Sequence, residues 1–182
     1  MTEEMIVRHC APTLARLKTG NMFACPFESE TEMNLSIRAF NRRMRKKGLR
    51  MLPLRFREGK GLVYLYRPCR LEKDLAHRCA HCLLQESGYA CPGAGACIRT
   101  LREKLKNSPD FPHEIGLFLG YPPEDVYGFI HHKEKARCCG CWKVYQDEEN
   151  ALRTFARFKK CSRIYMELFR NGRSMDRLSV AG

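Results

Sequence analysis

The sequence predicts one α+β domain over residues 1–182, with a small, mainly antiparallel sheet covered by several helices. Two observations predict this class: helix-like segments outnumber strand-like ones, and the strands do not alternate regularly with helices. A length of 182 residues suits a single domain with a substantial core. The composition, 44% hydrophobic and 29% charged, is that of a globular protein.

The N-terminal part is predicted to contain a helix at 7–18, a short strand at 21–25 and a second helix that begins after Ser29. Ser29 and Glu32 have the spacing of a capping box, in which each satisfies a free backbone donor of the other. Four apolar residues recur at helical spacing and predict one buried face: Met33, Ile37, Phe40 and Met44. Gly48 is the expected end of this second helix.

A β-hairpin is predicted next, with strands at 49–57 and 62–67 and a turn at 58–61. Apolar residues alternate along both segments, and two glycines mark the turn. Pro53 cannot donate a ladder hydrogen bond, so its strand is expected at an edge of the sheet.

The C-terminal part is predicted to be mainly helical. Helices are expected at 71–87, 98–106, 113–119, 123–132 and 148–170, and a strand at 142–145. Gly88 and Gly120 end two of these helices, Pro123 suits a first helical position, and Asp147 caps the last helix. The strand at Trp142 is expected to join the sheet of the hairpin.

The net charge of +13 is concentrated between Arg38 and Lys60, where Glu58 is the single acid. Such a patch favours polyanions: nucleic acid, anionic lipid or a phosphorylated cofactor. The candidate contact residues are Arg42, Arg43, Arg45, Lys46 and Lys47. The alternative interpretation is a solvated helix face on a protein that is simply basic.

The compartment follows from what the chain lacks. It contains no run of 18 apolar residues and begins with an acidic segment, so we expect neither a transmembrane helix nor a secretory signal, and a cytoplasmic protein. Eleven cysteines in a reducing compartment are not expected to form a disulfide framework. They are then core thiols, metal or cluster ligands, or reactive thiols.

The first candidate metal site lies within the helix predicted at 71–87. It consists of His77, Cys79, His81 and Cys82. The two histidines are four residues apart and the two cysteines three apart, so each pair shares a helix face. Imidazole and thiolate together suit zinc or iron. Cys91 and Cys97 follow in a glycine-rich segment and are candidates to complete four ligands. The alternative is a helix with two core thiols and two exposed histidines.

Three further cysteines stand within four residues: Cys138, Cys139 and Cys141. They are candidate ligands of a metal or iron–sulfur cluster, or a redox-active thiol pair. The cations Lys133, Lys135 and Arg137 precede them and are expected to lower the thiol pKa values.

The segment 111–126, FPHEIGLFLGYPPEDV, combines a charged pair, two glycines and three prolines within an apolar stretch. Because glycine and proline weaken helices, this composition predicts a specific backbone path. His113 is a candidate base or ligand, and Glu114 is favoured near a helix start. The alternative interpretation of this pair is helix capping.

Together with HCAPTLARLKTGNMFAC (9–25) and GCWKVYQDEENALRTFARFKKC (140–161), this segment resembles an uncharacterised bacterial family, a domain of unknown function found mostly in anaerobes. The resemblance extends from about residue 9 to 180 and implies a bacterial protein. It also implies a shared site near His113 and Glu114, with His9 and Cys10 as candidate companions, a pair suited to base and nucleophile. The extra cysteines between Cys79 and Cys97 depart from the family pattern.

Two function classes follow. The first is a cytosolic protein that binds a metal, cluster or redox cofactor through its cysteines and histidines, while the basic patch attracts an acidic redox partner or a phosphorylated cofactor. The alternative is a non-enzymatic nucleic-acid-binding or regulatory protein that uses the basic surface. The segment 171–180 resembles the start of a helix-turn-helix, which is consistent with this alternative. No nucleotide-binding loop or hydrolase motif indicates a reaction.

Overall fold

A computed structural model describes residues 1–90 and 92–182. The predicted α+β class is confirmed: helices predominate, and the sheets are small and antiparallel. The contacts divide the chain into two compact units, which we call unit 1 (Met1–Cys69 with Phe158–Gly182) and unit 2 (Arg70–Arg157). A single domain over 1–182 stays a prediction. No helix in the described ranges is both long and apolar enough to cross a membrane.

Unit 1 contains a three-stranded antiparallel sheet in the order β1-β3-β2. Its elements are α1 (Glu3–Leu14), β1 (Gly20–Pro26), α2 (Glu30–Met44), β2 (Arg50–Arg57), β3 (Lys60–Tyr66) and α9 (Met175–Leu178). Strand β2 is an edge strand, as Pro53 predicted. The helix expected at 7–18 begins earlier because Thr2 caps it, and it ends at Leu14, two residues after Pro12.

The predicted face of α2 is confirmed: all four of its apolar residues are buried. The Ser29 hydroxyl accepts a hydrogen bond from the Glu32 amide at 3.1 Å, which caps the helix. Glu58 and Gly59 form the two-residue turn of the hairpin, both with positive φ (50° and 70°). That conformation matches the twist of the paired strands. The short helix α9 has Met175 and Leu178 in the core of unit 1, so the segment 171–180 contributes packing there.

A buried arginine links the segments of unit 1. Arg67 is 4% exposed, and its guanidinium donates to the carbonyls of Thr13 and Leu14, both at 2.8 Å. It also donates to the carbonyls of Lys47 (3.1 Å) and Val180 (2.8 Å). The Arg67 guanidinium therefore satisfies backbone carbonyls at the end of α1, in the loop before β2 and in the C-terminal segment.

Unit 2 is built mainly from helices. Its elements are α3 (Pro68–Ala76, which begins at the unit boundary), α4 (Arg78–Glu86), α5 (Ala94–Asn107), α6 (Ile115–Phe118), α7 (Pro123–His131), β4 (Cys138–Cys139), β5 (Lys143–Val144) and the first part of α8 (Glu148–Arg170). The start of α7 at Pro123 and the Asp147 cap of α8 agree with the prediction.

Two predictions for unit 2 were wrong. The helix expected at 71–87 is interrupted at His77, whose ψ of 133° is extended. The strand expected at Trp142 does not join the hairpin's sheet: β5 pairs with β4 in a separate two-stranded sheet. Gly140 explains this pairing, because its amide donates to the Trp142 carbonyl at 3.0 Å and closes a tight turn between the two strands.

Candidate functional site

The interruption at His77 positions the strongest candidate metal site. His77 is the N-cap residue of α4, outside the regular helix, and Cys79 lies in the first turn of α4. Glu124 lies in the first turn of α7, directly after Pro123. Residues from two helix starts in unit 2 therefore converge, which differs from the predicted pairs along one helix face.

The ligand atoms of His77, Cys79 and Glu124 all lie within 4.8 Å of one another. In a tetrahedral zinc site, metal–ligand distances of about 2.0–2.3 Å give ligand–ligand separations of roughly 3.3–3.6 Å. His77 and Cys79 are exposed and Glu124 is half-buried, so small rotamer changes suffice to reach that spacing. Imidazole, thiolate and carboxylate are all zinc ligands, and three protein ligands leave a coordination position open.

The remaining predicted ligands of this region lie outside the group of three. Cys82 lines the same groove as Cys79 and Glu124, and His81 is half-buried on α4. Cys97 is buried and disulfide-bonded, so its sulfur is not an available thiolate. Cys91 lies outside the described residues.

The three cysteines of the β4–β5 hairpin are not arranged as one ligand set. Cys138 and Cys139 are neighbours in strand β4, so their side chains point to opposite faces. Burial, followed by the nearby Glu148 carboxylate, raises the pKa of the Cys138 thiol. The expected lowering by Lys133, Lys135 and Arg137 is therefore wrong for Cys138, whose thiol pKa is raised by the loss of solvent and by nearby acidic groups.

Glu114, one of the two candidates from the 111–126 segment, is buried and forms an ion pair with a partly exposed lysine. Its Oε1 accepts from the Lys104 ammonium at 2.7 Å and from the Tyr89 hydroxyl at 2.9 Å. Its side chain is 7% exposed. Burial and the Glu114 charge together raise the pKa of Tyr89, so that hydroxyl stays protonated and donates. These contacts fit a role in stability that joins α5, α6 and the segment after α4.

His113, the other candidate, is exposed and lies at the edge of an apolar cavity of about 190 Å³. Its ring and the Phe129 ring pack at a right angle with centroids 5.1 Å apart, and its Nε2 lies 3.2 Å from the Lys133 ammonium. The cavity is lined by His113, Ile115, Gly116, Tyr121, Asp125, Val126, Phe129, Trp142 and Lys143.

His9 and Cys10, the proposed companions of His113, lie in unit 1, whereas His113 and Glu114 lie in unit 2. The exposed His9 ring stacks on Phe23 at 5.5 Å. Cys10 is fully buried in the core, and burial raises the pKa of its thiol. A protonated thiol without solvent access is a poor nucleophile, so Cys10 behaves as a core residue.

Two of the basic residues between Arg38 and Lys60 have partners elsewhere in unit 1. Arg43 pairs with Glu3 and, at 3.1 Å, with Asp176, while the Lys47 ammonium donates to the carbonyls of Asp176 and Ser179. These two cations stabilise unit 1. Four more of these cations are exposed near the end of α2: Arg38, Arg42, Arg45 and Lys46.

A protein-family model described as "Protein of unknown function (DUF3793)" matches residues 6–179, nearly the whole chain. The chain belongs to this family. No curated protein matches the chain. No solved structure matches it either. Membership of DUF3793 therefore confirms the resemblance. Because the family is described as having no known function, any inference about chemistry depends on the side chains of this chain.

Sequence reasoning missed two acidic residues of this DUF3793 protein. Glu124 and Asp125 lie in the first turn of α7, where acids favour a helix start, but Glu124 also belongs to the candidate metal group. The buried Asp125 accepts hydrogen bonds from the Trp142 indole and the Tyr145 amide, both at 2.7 Å. The sequence signal for these roles was a pair of adjacent acids directly after the Pro-Pro start of a helix. The same pattern also stabilises a helix start through the helix dipole, so it does not identify a ligand or a buried acceptor by itself.

Proposed function

We propose that unit 2 binds one divalent transition metal ion, with Zn²⁺ as the preferred ion, through His77, Cys79 and Glu124. The convergence of their three ligand atoms within 4.8 Å is the observation that carries this proposal. The function is that of a metal-binding protein, within the class predicted from the cysteines and histidines.

The donor set supports zinc over an iron–sulfur cluster. Clusters are held chiefly by several thiolates, whereas this group offers one thiolate, one imidazole and one carboxylate. Zinc accepts all three donor types and imposes no geometry of its own. Iron(II) is the second choice, because imidazole and carboxylate also suit it.

The groove beside the group supports an open coordination position. Its cavity volume is about 420 Å³, and it is lined by residues of α4 and α7 that include Cys79, Glu124 and Tyr127. A metal with three protein ligands takes water or a small ligand in the fourth position, as catalytic zinc sites do. Such a site acts as a Lewis acid and lowers the pKa of its bound water.

The test is a Co²⁺ titration of anaerobically purified, chelator-treated protein. Co²⁺ takes the same tetrahedral ligands as Zn²⁺ and absorbs visible light, and a thiolate ligand adds a charge-transfer band. We expect saturation at one Co²⁺ per chain, with displacement by Zn²⁺. Cys79→Ser should abolish the charge-transfer band, and Glu124→Gln should weaken binding by at least about 100-fold, since even outer-shell losses reach 10–100-fold.

Matched controls lie within the same protein. Cys69 is an exposed thiol outside the group, and Glu86 is an exposed acid that lines the same groove. Cys69→Ser, Glu86→Gln and Cys82→Ser should each keep full stoichiometry. The proposal is wrong if the wild type binds no Co²⁺ or if Cys79→Ser binds as the wild type does. Loss of Co²⁺ binding in the single variant Cys82→Ser would refute the three-ligand set.

Four exposed cations near the end of α2 support a second candidate function, nucleic-acid binding. Arg38, Arg42, Arg45 and Lys46 follow one another along the end of α2 and the turn after it. Binding of a short DNA duplex should fall steeply with salt, with a slope of about −0.9 per phosphate contact. The double variant Arg42→Gln/Arg45→Gln should reduce that slope by about 2, whereas an unchanged slope would contradict this candidate.

A further inference from the structure

The apolar cavity at His113 has rigid aromatic walls. Tyr121 stacks on Trp142 with centroids 4.9 Å apart, and Trp142 meets Phe155 edge to face at 4.5 Å. The Asp125 carboxylate fixes the Trp142 indole by accepting its N–H at 2.7 Å. These contacts hold the Tyr121 and Trp142 rings in place beside the cavity, and fixed aromatic walls favour edge-to-face or offset contact with another planar ring.

The cavity has the size of a small aromatic molecule. An apolar cavity of about 150 Å³ in another protein holds one benzene. The 190 Å³ available here therefore accommodates a benzene ring with a short substituent, and it is smaller than the 300–1,000 Å³ typical of drug-sized ligands.

The edge of the cavity is positively charged. The Lys143 ammonium lies 5.7 Å from the centroid of the Phe129 ring, and the Lys133 ammonium lies 5.9 Å from the same centroid. His113 lies beside Lys133. The acid in the lining, Asp125, already accepts from the Trp142 indole and from the Tyr145 and Gln146 amides, and these three hydrogen bonds occupy its carboxylate oxygens.

We propose that this cavity binds a monocyclic aromatic carboxylate. The ring packs against the cavity wall that includes Trp142 and Tyr121, and the carboxylate extends to the edge, where it pairs with Lys143 and Lys133. This inference goes beyond the metal site, since His77, Cys79 and Glu124 are not part of the lining.

Trp142 makes the test direct, because it is the single tryptophan of the chain. We would titrate the full-length protein with phenylacetate and follow Trp142 fluorescence, with calorimetry as a second readout. The matched probe is phenylacetamide, which has the same shape without the charge. We expect saturable binding of phenylacetate below about 1 mM, and binding of phenylacetamide at least about tenfold weaker.

Three variants complete the design. Lys133→Gln/Lys143→Gln should remove the preference for the charged probe, while the exposed control Lys135→Gln should keep it. Ile115→Phe should fill the cavity and abolish binding of both probes, provided that its circular dichroism matches that of the wild type. The Glu124→Gln variant should bind phenylacetate normally, which separates this inference from the metal proposal.

Three outcomes would overturn the inference. They are an absence of binding of either probe to the wild type, equal binding of the two probes, and undiminished phenylacetate binding by a folded Ile115→Phe variant. Equal binding of the two probes would mean that the cavity binds an aromatic ring without selecting its negative charge.

Discussion

The Glu114 ion pair gives the sharpest test of whether the 111–126 segment serves stability or chemistry. Glu114→Gln keeps the shape of the side chain and removes its charge. Two charge-assisted hydrogen bonds, from Lys104 and Tyr89, then become weaker. Hydrogen bonds to charged groups contribute about 1.5–3 kcal/mol against about 0.5–1.5 for neutral ones.

The magnitude depends on solvent. The Tyr89 bond is buried and should lose about 1 kcal/mol. The Lys104 side chain is 34% exposed, so water screens its pair and we expect a loss of about 0.5 kcal/mol there. The total for Glu114→Gln is about 1–2 kcal/mol. Glu114→Ala should lose about 3 kcal/mol, because it leaves the Tyr89 hydroxyl without its acceptor.

The assay is urea denaturation followed by Trp142 fluorescence, since Trp142 and Glu114 both belong to unit 2. Glu103→Gln is the control, because Glu103 is an exposed acid of α5 next to Lys104, and it should change stability by less than about 0.5 kcal/mol. A double-mutant cycle with Tyr89→Phe should give a coupling of about 1 kcal/mol. If Glu114→Gln is no less stable than Glu103→Gln, our argument for a stabilising role is refuted.

Three further predictions concern stability and thiol reactivity. Arg67→Met should destabilise the protein by about 3–5 kcal/mol in urea followed by circular dichroism, because several buried carbonyls lose their donor; a loss under 1 kcal/mol would contradict this. Burial raises the pKa of the Cys10 thiol above its ordinary value of 9.0. The contribution of this thiol to the free energy of unfolding is therefore complete below about pH 9 and falls above it, because the unfolded chain then releases a proton that the folded chain retains. Cys10→Ala should make that alkaline decline shallower, and an unchanged slope would argue against the effect. Zn²⁺ should slow alkylation of Cys79 and leave the exposed Cys69 unaffected, as read by peptide mass spectrometry; equal rates with and without Zn²⁺ would argue against coordination.

Local patterns predicted much of the fold. The apolar spacing of α2, the hairpin turn and Pro123 at the start of α7 each act over a few residues, and each is confirmed, although the turn is Glu58-Gly59 and Gly61 already lies in β3. Long-range features were not predictable in the same way. The partner of the Trp142 strand depends on which segment folds back beside it, and hydrophobic alternation does not specify that partner.

The candidate site shows the same division. The sequence singled out His77 and Cys79 through their residue types, and both belong to the group of three. It missed the helix break at His77 because no proline or glycine marks it. It missed Glu124 because the approach of α7 to α4 is a tertiary contact. The residue type of Cys10 does not reveal its burial, which raises the pKa of its thiol.

The most direct test of the metal proposal is elemental analysis of the protein purified without oxygen and without chelator. Wild type, Cys79→Ser and the control Cys69→Ser would be measured in parallel. Our account predicts about one zinc per chain in the wild type and in Cys69→Ser, and none in Cys79→Ser. A folded, metal-free wild type, or zinc retained by Cys79→Ser, would contradict it.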